Sequence, residues 1–215
     1  MFFLKFRFAI CVLFLTSSAY SQSDSSFVAV TSSENKLVFD LKYATSDNFL
    51  KAAVYDCSTC FLREEAAIAL KKAATRAWKK YKLRLKLFDC YRPLAVQERM
   101  FALVPNPEYV ADPKKGSIHN RGAAVDLTLI DENGIELDMG TSFDHFGVEA
   151  AHTYQNLTEI QKSNRKKLLS IMKSAGFKPL PSEWWHYNYG KSRKFSISNA
   201  NLCATKEDLN KVDVN

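Results

Sequence analysis

The order of apolar and polar positions divides residues 36–190 into strand-like and helix-like segments. Alternation with a period of two predicts strands, because successive side chains of a strand point to opposite faces. Apolar positions three and four residues apart predict amphipathic helices instead. The predicted strands cover 36–42, 83–88, 123–130, 135–137 and 177–189, and the predicted helices cover 62–81, 94–103 and 158–175.

Residue types at the helix ends agree with these limits. Glu64 and Glu65 open the first predicted helix, and Lys79 and Lys80 lie in its last turn. Acidic residues near the start and basic residues near the end both interact favourably with the helix dipole. Gly176 follows the third predicted helix, at the position where glycine commonly ends a helix.

The chain has the organisation of one domain. It contains neither an internal repeat nor a low-complexity linker that would divide it. The mixture of predicted strands and helices favours an α+β fold, and we predict a central antiparallel sheet flanked by helices over 36–190. The serine-rich stretch 22–35 is predicted to be a flexible leader, and 191–215 a polar C-terminal segment.

Composition narrows the class of protein. With 215 residues, 47% hydrophobic and 25% charged, the chain is neither wholly disordered, collagen-like nor a polytopic membrane protein. Its net charge is +7, from 30 basic and 23 acidic residues. The basic residues are spread over predicted helix faces and loops, without the signature of a nucleic-acid-binding module, so we predict no nucleic-acid partner.

The N-terminus has the pattern of a secretory signal peptide. Lys5 and Arg7 precede the uncharged apolar run 8–15, and small or polar residues follow up to Ser21. The run is shorter than the roughly 20 residues of a membrane-spanning helix. We therefore predict a signal peptide over 1–21, cleavage after Ser21, a periplasmic or secreted protein, and no stable membrane span after cleavage.

Export changes the expected chemistry of the cysteines. The predicted mature chain keeps Cys57, Cys60, Cys90 and Cys203. Structural disulfides are favoured in an oxidising compartment, but four cysteines allow three full pairings and the sequence does not choose between them. The Cys57-x-x-Cys60 spacing also fits a redox pair or half of a zinc site, although no second Cys-x-x-Cys completes one.

Two separated segments carry residues suited to zinc chemistry. Asp126 lies on a predicted strand among apolar neighbours, and a buried carboxylate needs a cationic partner or a metal. Together with His119 and His186 it would leave the fourth position of a tetrahedral zinc ion open for water. Glu183, three residues before His186, could then act as general base. Taken alone, these residue types also fit ordinary polar surface positions.

Two motifs resemble those of zinc peptidases that cleave D-alanyl peptides. They read Ser-x-His-x-x-Gly-x-Ala-x-Asp at 117–126 and Glu-Trp-Trp-His at 183–186. Further segments resemble the narrower D-alanyl-D-alanine dipeptidase family, of the vancomycin-resistance type, and the resemblance spans about 37–189. These further segments lie at 40–49, 89–93, 126–129 and 138–144.

The resemblance implies zinc-dependent hydrolysis of D-Ala-D-Ala to two D-alanines. In this family pattern, His119, Asp126 and His186 correspond to the ligands of one zinc ion per chain, and Glu183 to the catalytic base. Arg92 corresponds to the cation that steadies the developing oxyanion. Such an activity would serve cell-wall precursor turnover, D-alanine scavenging or glycopeptide resistance.

The same resemblance implies a site that captures both ends of a dipeptide. Asp144 and Tyr43 correspond to the subsite for the substrate ammonium group, and Ser117 to a donor for its carboxylate. Tyr55 is a weaker candidate for the carboxylate, because the spacing drifts there. A small peptide is therefore the expected partner, and the oligomeric state is left open.

Some features depart from the family pattern or leave alternatives. An exported form is unusual, because the resistance enzymes act on the cytoplasmic precursor pool. Cys90 lies inside the Asp-x-Tyr-Arg-Pro motif, and its oxidation with Cys57 or Cys60 would tether the loop of Arg92. The nearest alternative function is a D,D- or L,D-carboxypeptidase that trims peptidoglycan stem peptides. A non-catalytic wall-binding module is disfavoured because Glu183 is present.

Overall fold

The computed structural model describes residues 27–32 and 36–203. The predicted signal peptide, 1–21, lies outside these residues. The described part of the chain contains seven strands and three α-helices. The strands are β1 (Phe27–Ala29), β2 (Leu37–Phe39), β3 (Phe61–Arg63), β4 (Arg84–Asp89), β5 (Ala124–Ile130), β6 (Phe177–Leu180) and β7 (Glu183–Tyr189), and the helices are α1 (Glu64–Tyr81), α2 (Leu94–Leu103) and α3 (Glu159–Ser174).

The main sheet has five strands in the order β2-β4-β5-β7-β6. The α+β class is confirmed, and the β4–β5, β5–β7 and β6–β7 pairs are antiparallel as predicted. The β2–β4 pair at the edge is parallel, which differs from the prediction of a wholly antiparallel sheet. Between these two strands the chain passes through β3 and α1, and such a crossover lets it return in the same direction.

One face of the sheet is buried by α1 and α3. Val125, Leu127 and Leu129 of β5 are fully buried and share one core cluster with residues of both helices. Side chains alternate along a strand, so the carboxylate of Asp126 points to the opposite face. One face of β5 thus packs against the helices, and Asp126 lies on the other face.

The N-terminal strand lies in the segment that was predicted to be flexible. β1 pairs antiparallel with β3 and forms a separate two-stranded sheet. The Phe27 ring packs 4.5 Å from the ring of Tyr91, and the Arg63 guanidinium lies 4.0 Å from the centroid of the Phe27 ring. The serine-rich composition of 22–35 concealed these apolar contacts, so the prediction of a flexible leader is wrong for residues 27–32.

The C-terminal segment also contacts the domain in its described part. The Ser198 amide donates to the carbonyl of Asn120, and the Tyr91 hydroxyl donates to the carbonyl of Ala200. These bonds use backbone groups, which leave no pattern in the sequence. Residues 191–203 are therefore packed on the domain that the sequence predicts to end at residue 190.

Two disulfides resolve the pairing that the sequence left open. Cys57 is bonded to Cys203, and Cys60 is bonded to Cys90. Cys57 and Cys60 do not pair with each other, so the structure contains neither a Cys-x-x-Cys redox pair nor a zinc half-site there. The first disulfide fastens the C-terminal segment, and the second joins the residue before β3 to the residue after β4.

Two predicted strands differ in extent. The stretch 135–137 makes only an isolated bridge, between Ile130 and Glu136, and not a full hairpin strand. The stretch 177–189 is not one strand but the hairpin of β6 and β7. No helix in the described ranges is long and apolar enough to cross a membrane.

His152 gives the fold a testable dependence on pH. Its Nε2 atom is buried without a hydrogen-bond partner, and burial together with the nearby charge of Arg165 lowers the pKa of His152 to about 4. An unfolded histidine has a pKa of about 6.5, so the unfolded chain binds more protons between about pH 6.5 and 4. Stability should therefore fall as the pH falls through this window.

We expect His152→Phe to remove part of this acid destabilisation, because phenylalanine has no proton to gain. The effect should be about 1–2 kcal/mol at pH 4.5, after allowance for the partial exposure of the ring. The measurement is the free energy of unfolding of both proteins from pH 4 to pH 7.5. Parallel pH curves for wild type and variant would contradict the assignment.

Candidate active site

The sheet register brings two of the predicted ligands together. Asp126 of β5 and His186 of β7 are direct cross-strand partners, so their side chains lie on the same face. His119 comes from a short 3-10 turn, His119–Arg121, that immediately precedes β5. His186 is 60 residues from Asp126 and 67 from His119 in sequence, and all three meet near the start of β5.

The three side chains form a compact and buried group. The Nε2 atom of His119 lies 3.3 Å from a carboxylate oxygen of Asp126, and the Nδ1 atom of His186 lies 3.0 Å from the other oxygen. The two imidazole nitrogens are 3.1 Å apart. One ligand atom from each residue lies within 4.8 Å of the others, and all three residues are buried.

In each imidazole, one ring nitrogen points away from Asp126. The hydrogen bond of this outer nitrogen shows where the proton lies, and so which nitrogen is left to bind a metal. The Nδ1 atom of His119 lies 2.6 Å from the carbonyl of Cys90, which can only accept, so Nδ1 carries the proton. The Nε2 atom of His186 lies 2.9 Å from Oδ1 of Asn188 in the same way. Metal-binding histidines commonly donate their other N–H to such acceptors.

This arrangement fits a cation. With both outer nitrogens protonated, the two inner nitrogens are the ones that can bind a metal ion, next to a carboxylate in a buried space. Burial opposes a charge on His186, but its contact with Asp126 outweighs burial and raises the pKa of His186 to about 9 in the metal-free protein. The group therefore attracts positive charge, and two imidazoles with one carboxylate suit zinc with an open fourth position.

Glu183 stands beside this group at the start of β7. Its Oε2 atom lies 3.8 Å from Nδ1 of His186, and its side chain is on the wall of the same cavity. Burial raises the pKa of Glu183 above its usual range. A carboxylate with a raised pKa is better able to take and return a proton near neutral pH.

Arg92 is held rigidly on the cavity wall. Its Nε and Nη2 atoms donate to one oxygen of Asp89, at 3.2 and 2.7 Å, and its Nη1 atom donates to Gln97 at 2.8 Å. Burial opposes the charge, but the Asp89 carboxylate outweighs it and keeps the pKa of Arg92 high. Arg92 is therefore a fixed and permanent cation.

Asp89 is a supporting residue that the sequence prediction did not include. Its side chain is fully buried, and besides Arg92 it accepts from the Tyr55 hydroxyl at 2.6 Å and from the Cys90 amide at 2.8 Å. Its place in the Asp-x-Tyr-Arg-Pro motif was the available signal. The sequence prediction also missed Asn188 and the Cys90 carbonyl. They contact the candidate metal ligands His186 and His119, and no motif residue pointed to such supporting contacts.

The predicted substrate-binding residues do not all reach the cavity. Ser117, Tyr43 and Asp144 line it, and the Tyr43 hydroxyl donates to Asp144 at 2.8 Å. Burial raises the pKa of Asp144 well above its usual range, so a cationic group beside it would be bound favourably. Asp144 has a φ of 57°, a left-handed conformation that is uncommon outside glycine and often marks functional sites.

Tyr55 is the exception among the predicted residues. It does not line the cavity of the other eight, and its hydroxyl is bonded to Asp89 behind Arg92. The structure therefore does not place Tyr55 in the cavity lining with the other candidate substrate residues, and its binding of the substrate carboxylate stays a prediction. The Tyr55 ring packs 5.9 Å from that of Tyr43.

The cavity that these residues share has a volume of about 860 Å³. Its lining includes the polar residues described above and an aromatic cluster, in which the Phe146 ring lies 5.3 Å from that of Phe49 and 5.0 Å from that of Tyr109. An apolar cavity with a few convergent polar groups is the usual form of a small-ligand site.

Comparison with known proteins decides the family. A family model described as Peptidase_M15, D-ala-D-ala dipeptidase, matches residues 24–204.

The chain belongs to this family of D-ala-D-ala dipeptidases.

Named relatives of this D-ala-D-ala dipeptidase family member agree with the family match. The D-alanyl-D-alanine dipeptidase of Escherichia coli K12 is 38% identical over 75% of this chain and 83% of its own length. The D-alanyl-D-alanine dipeptidase of Enterococcus faecalis is 31% identical over 69% of this chain and 84% of its own length. A solved structure of the LdcB LD-carboxypeptidase has a TM-score of 0.41 and 22% identity, over 81% of this chain and 73% of that chain.

The family match and the named dipeptidase relatives confirm the resemblance drawn from the motifs. The family is one of metallopeptidases, so this D-ala-D-ala dipeptidase family member is an enzyme of that kind. Its described residues contain one candidate metal-binding group of histidine and acidic side chains, the group of His119, Asp126 and His186.

A metal ion bound by this group should stabilise the folded protein, and zinc is the ion to test. A ligand present at 100 times its Kd adds about 2.7 kcal/mol to the free energy of unfolding. We expect zinc to raise the melting temperature of the chelator-treated protein, and Asp126→Asn to abolish the rise. Glu183→Gln, a change in the same cavity but outside the ligand group, should keep it. An equal rise in wild type and Asp126→Asn, measured by calorimetry, would place the metal elsewhere.

Proposed function

We propose that this enzyme hydrolyses D-Ala-D-Ala to two D-alanines, with one zinc ion held by His119, Asp126 and His186. The proposal rests mainly on the convergence of the three buried candidate ligands, Glu183 and Arg92 in the lining of one cavity. The names of the relatives supply the substrate class. The lining includes Asp144 as a partner for an ammonium group and Ser117 as a donor for a carboxylate, so it fits a molecule with both groups.

The zinc ion, when bound, supplies a Lewis acid that polarises the peptide carbonyl and acidifies a water molecule. Glu183 takes the proton of the attacking water and passes it to the leaving amine. Its raised pKa suits both tasks, because the same carboxyl must first accept and then donate. The 3.8 Å between Glu183 and His186 puts the base next to the ligand group.

Arg92 stabilises the negative charge that develops on the carbonyl oxygen. Since Asp89 and Gln97 fix its guanidinium, little reorganisation is needed when that charge appears. A preorganised cation of this kind favours the transition state over the ground state. Arg92 thus acts on the carbonyl oxygen, and Glu183 acts on the water.

The two ends of the dipeptide are bound by opposite charges and donors. Asp144, supported by the Tyr43 hydroxyl, faces the substrate ammonium group. The Ser117 hydroxyl, next to the metal ligand His119, donates to the substrate carboxylate. Binding of both ends favours a free dipeptide over a longer peptide, because a longer substrate lacks one charged end at this distance.

An extracytoplasmic location is part of the proposal. The predicted signal peptide over 1–21 and two disulfides both fit an oxidising compartment such as the periplasm. There the enzyme would act on D-Ala-D-Ala released from, or destined for, peptidoglycan. No partner other than the dipeptide is required by the proposal.

Replacement of the proposed base tests the mechanism. We expect Glu183→Gln to lower kcat for D-Ala-D-Ala by about 10²–10⁴-fold while zinc stays bound, because the amide cannot accept the proton of water. The assay pairs release of D-alanine with the zinc content of the same sample. A pentapeptide stem serves as the comparison substrate. Substantial turnover by the zinc-loaded variant, or faster cleavage of the stem by wild type, would contradict the proposal.

Tyr55→Phe tests whether this residue binds substrate or supports Asp89. In the structure the hydroxyl makes one hydrogen bond to Asp89, so its loss should cost about 1 kcal/mol of stability. KM for D-Ala-D-Ala should stay within about twofold of wild type, since only a bond outside the cavity is lost. A tenfold rise in KM without loss of stability would return Tyr55 to the carboxylate subsite.

A further inference from the structure

The Cys60–Cys90 disulfide lies directly behind the candidate metal group. Cys60 precedes β3 of the two-stranded sheet, and Cys90 follows β4 of the five-stranded sheet. Both cysteines are almost completely buried, at 1% and 2% exposure. The disulfide therefore joins the two sheets covalently at the end of β4, where the loop of residues 90–93 begins.

Both backbone groups of Cys90 act on the site. Its carbonyl accepts the Nδ1 proton of His119 at 2.6 Å, which turns the Nε2 lone pair towards the metal group. Its amide donates to Asp89 at 2.8 Å, and Asp89 holds Arg92. One residue thus orients a proposed metal ligand and the carboxylate that fixes the proposed oxyanion cation.

The loop that carries Cys90 has no regular secondary structure to hold it. Residues 90–93 lie between β4 and α2. The Tyr91 amide donates to the carbonyl of Phe61 at 3.0 Å, and Asn120 donates to the carbonyl of Arg92 at 2.8 Å. The disulfide adds a covalent tie to these bonds, one residue away from the first and two residues away from the second.

We infer that the Cys60–Cys90 disulfide is a positioning element of the metal site. It holds the Cys90 carbonyl against His119, and so keeps the imidazole in the tautomer and orientation that bind metal. The inference rests on the proposed metal function of His119, Asp126 and His186. Its consequence is that the chain acquires full zinc affinity only after this bond has formed, which links maturation of the site to an oxidising compartment.

The second disulfide provides a matched control. Cys57–Cys203 fastens the C-terminal segment and spans 146 residues, against 30 for Cys60–Cys90. A disulfide that closes a longer loop restricts the unfolded chain more, so loss of Cys57–Cys203 should lower global stability at least as much. Any loss of zinc affinity that is specific to Cys60–Cys90 therefore cannot come from general destabilisation.

The test compares three forms of the full mature chain: wild type, Cys60→Ala/Cys90→Ala and Cys57→Ala/Cys203→Ala. Outer hydrogen-bond partners of metal ligands typically contribute 10–100-fold to metal affinity. We expect the first double variant to bind zinc about tenfold more weakly, measured by competition with a chelator. Its kcat should fall by a larger factor than its KM rises. The control should stay within about twofold of wild type in both.

A second measurement does not depend on metal or activity. Long-range ¹H–¹⁵N NMR of the metal-free proteins reports which nitrogen of His119 carries the proton. Wild type and the control should show the Nδ1–H form alone, and the Cys60–Cys90 variant should show a mixture. Cys60→Ala, which leaves the Cys90 side chain in the core, is the milder variant if the double change impairs folding, and it should show the same mixture.

The outcomes separate this inference from the proposed function. A wild type that binds zinc without hydrolysing D-Ala-D-Ala would refute the substrate, while the zinc and NMR comparisons would still decide the role of the disulfide. Equal zinc affinity and the same His119 tautomer in the Cys60–Cys90 variants and in the Cys57–Cys203 control would overturn the inference.

Discussion

A carboxylate buried on a central strand is the constraint on which the rest of the site depends. Asp126 is 3% exposed and stands between fully buried apolar residues of β5. Burial opposes its charge, but the facing imidazoles of His119 and His186 outweigh burial and lower the pKa of Asp126. A buried ionised group of this kind requires compensation, and the fold supplies it with two histidines and space for a cation.

The wider cavity is short of positive charge in the same way. Asp144 and Glu183 face it with raised pKa values, and its fixed cation, Arg92, is already paired with Asp89. A divalent metal and a substrate ammonium group would together restore the balance. The distribution of charge thus explains why one site would require both a metal and a zwitterionic ligand.

The sequence predicted the parts of this molecule that follow local periodicity or a motif. All three helices appear within two residues of their predicted limits, because α1 and α3 each present an apolar stripe to one face of the sheet. The candidate ligands came from the resemblance of the motifs at 117–126 and 183–186, and the structure brings them together because Asp126 and His186 are cross-strand neighbours.

Features that depend on long-range backbone contacts were not predictable. Strand β1 is too short and too serine-rich in its surroundings to show a period, and its pairing with β3 is decided by tertiary contacts. The hydrogen bond of Tyr55 to Asp89 was not predictable either, because motif spacing does not reveal which buried carboxylate a distant hydroxyl will reach. The disulfide pairing required the positions of the sheets, since four cysteines alone allow three arrangements.

The position of zinc in a crystal of the mature protein, located by anomalous scattering at the zinc edge, tests the proposed metal site most directly. We expect one zinc ion per chain, bound by Nε2 of His119, Nδ1 of His186 and the carboxylate of Asp126, with Glu183 close by and not coordinated. A zinc ion bound elsewhere, or to Glu183 in place of Asp126, would contradict the proposed metal site.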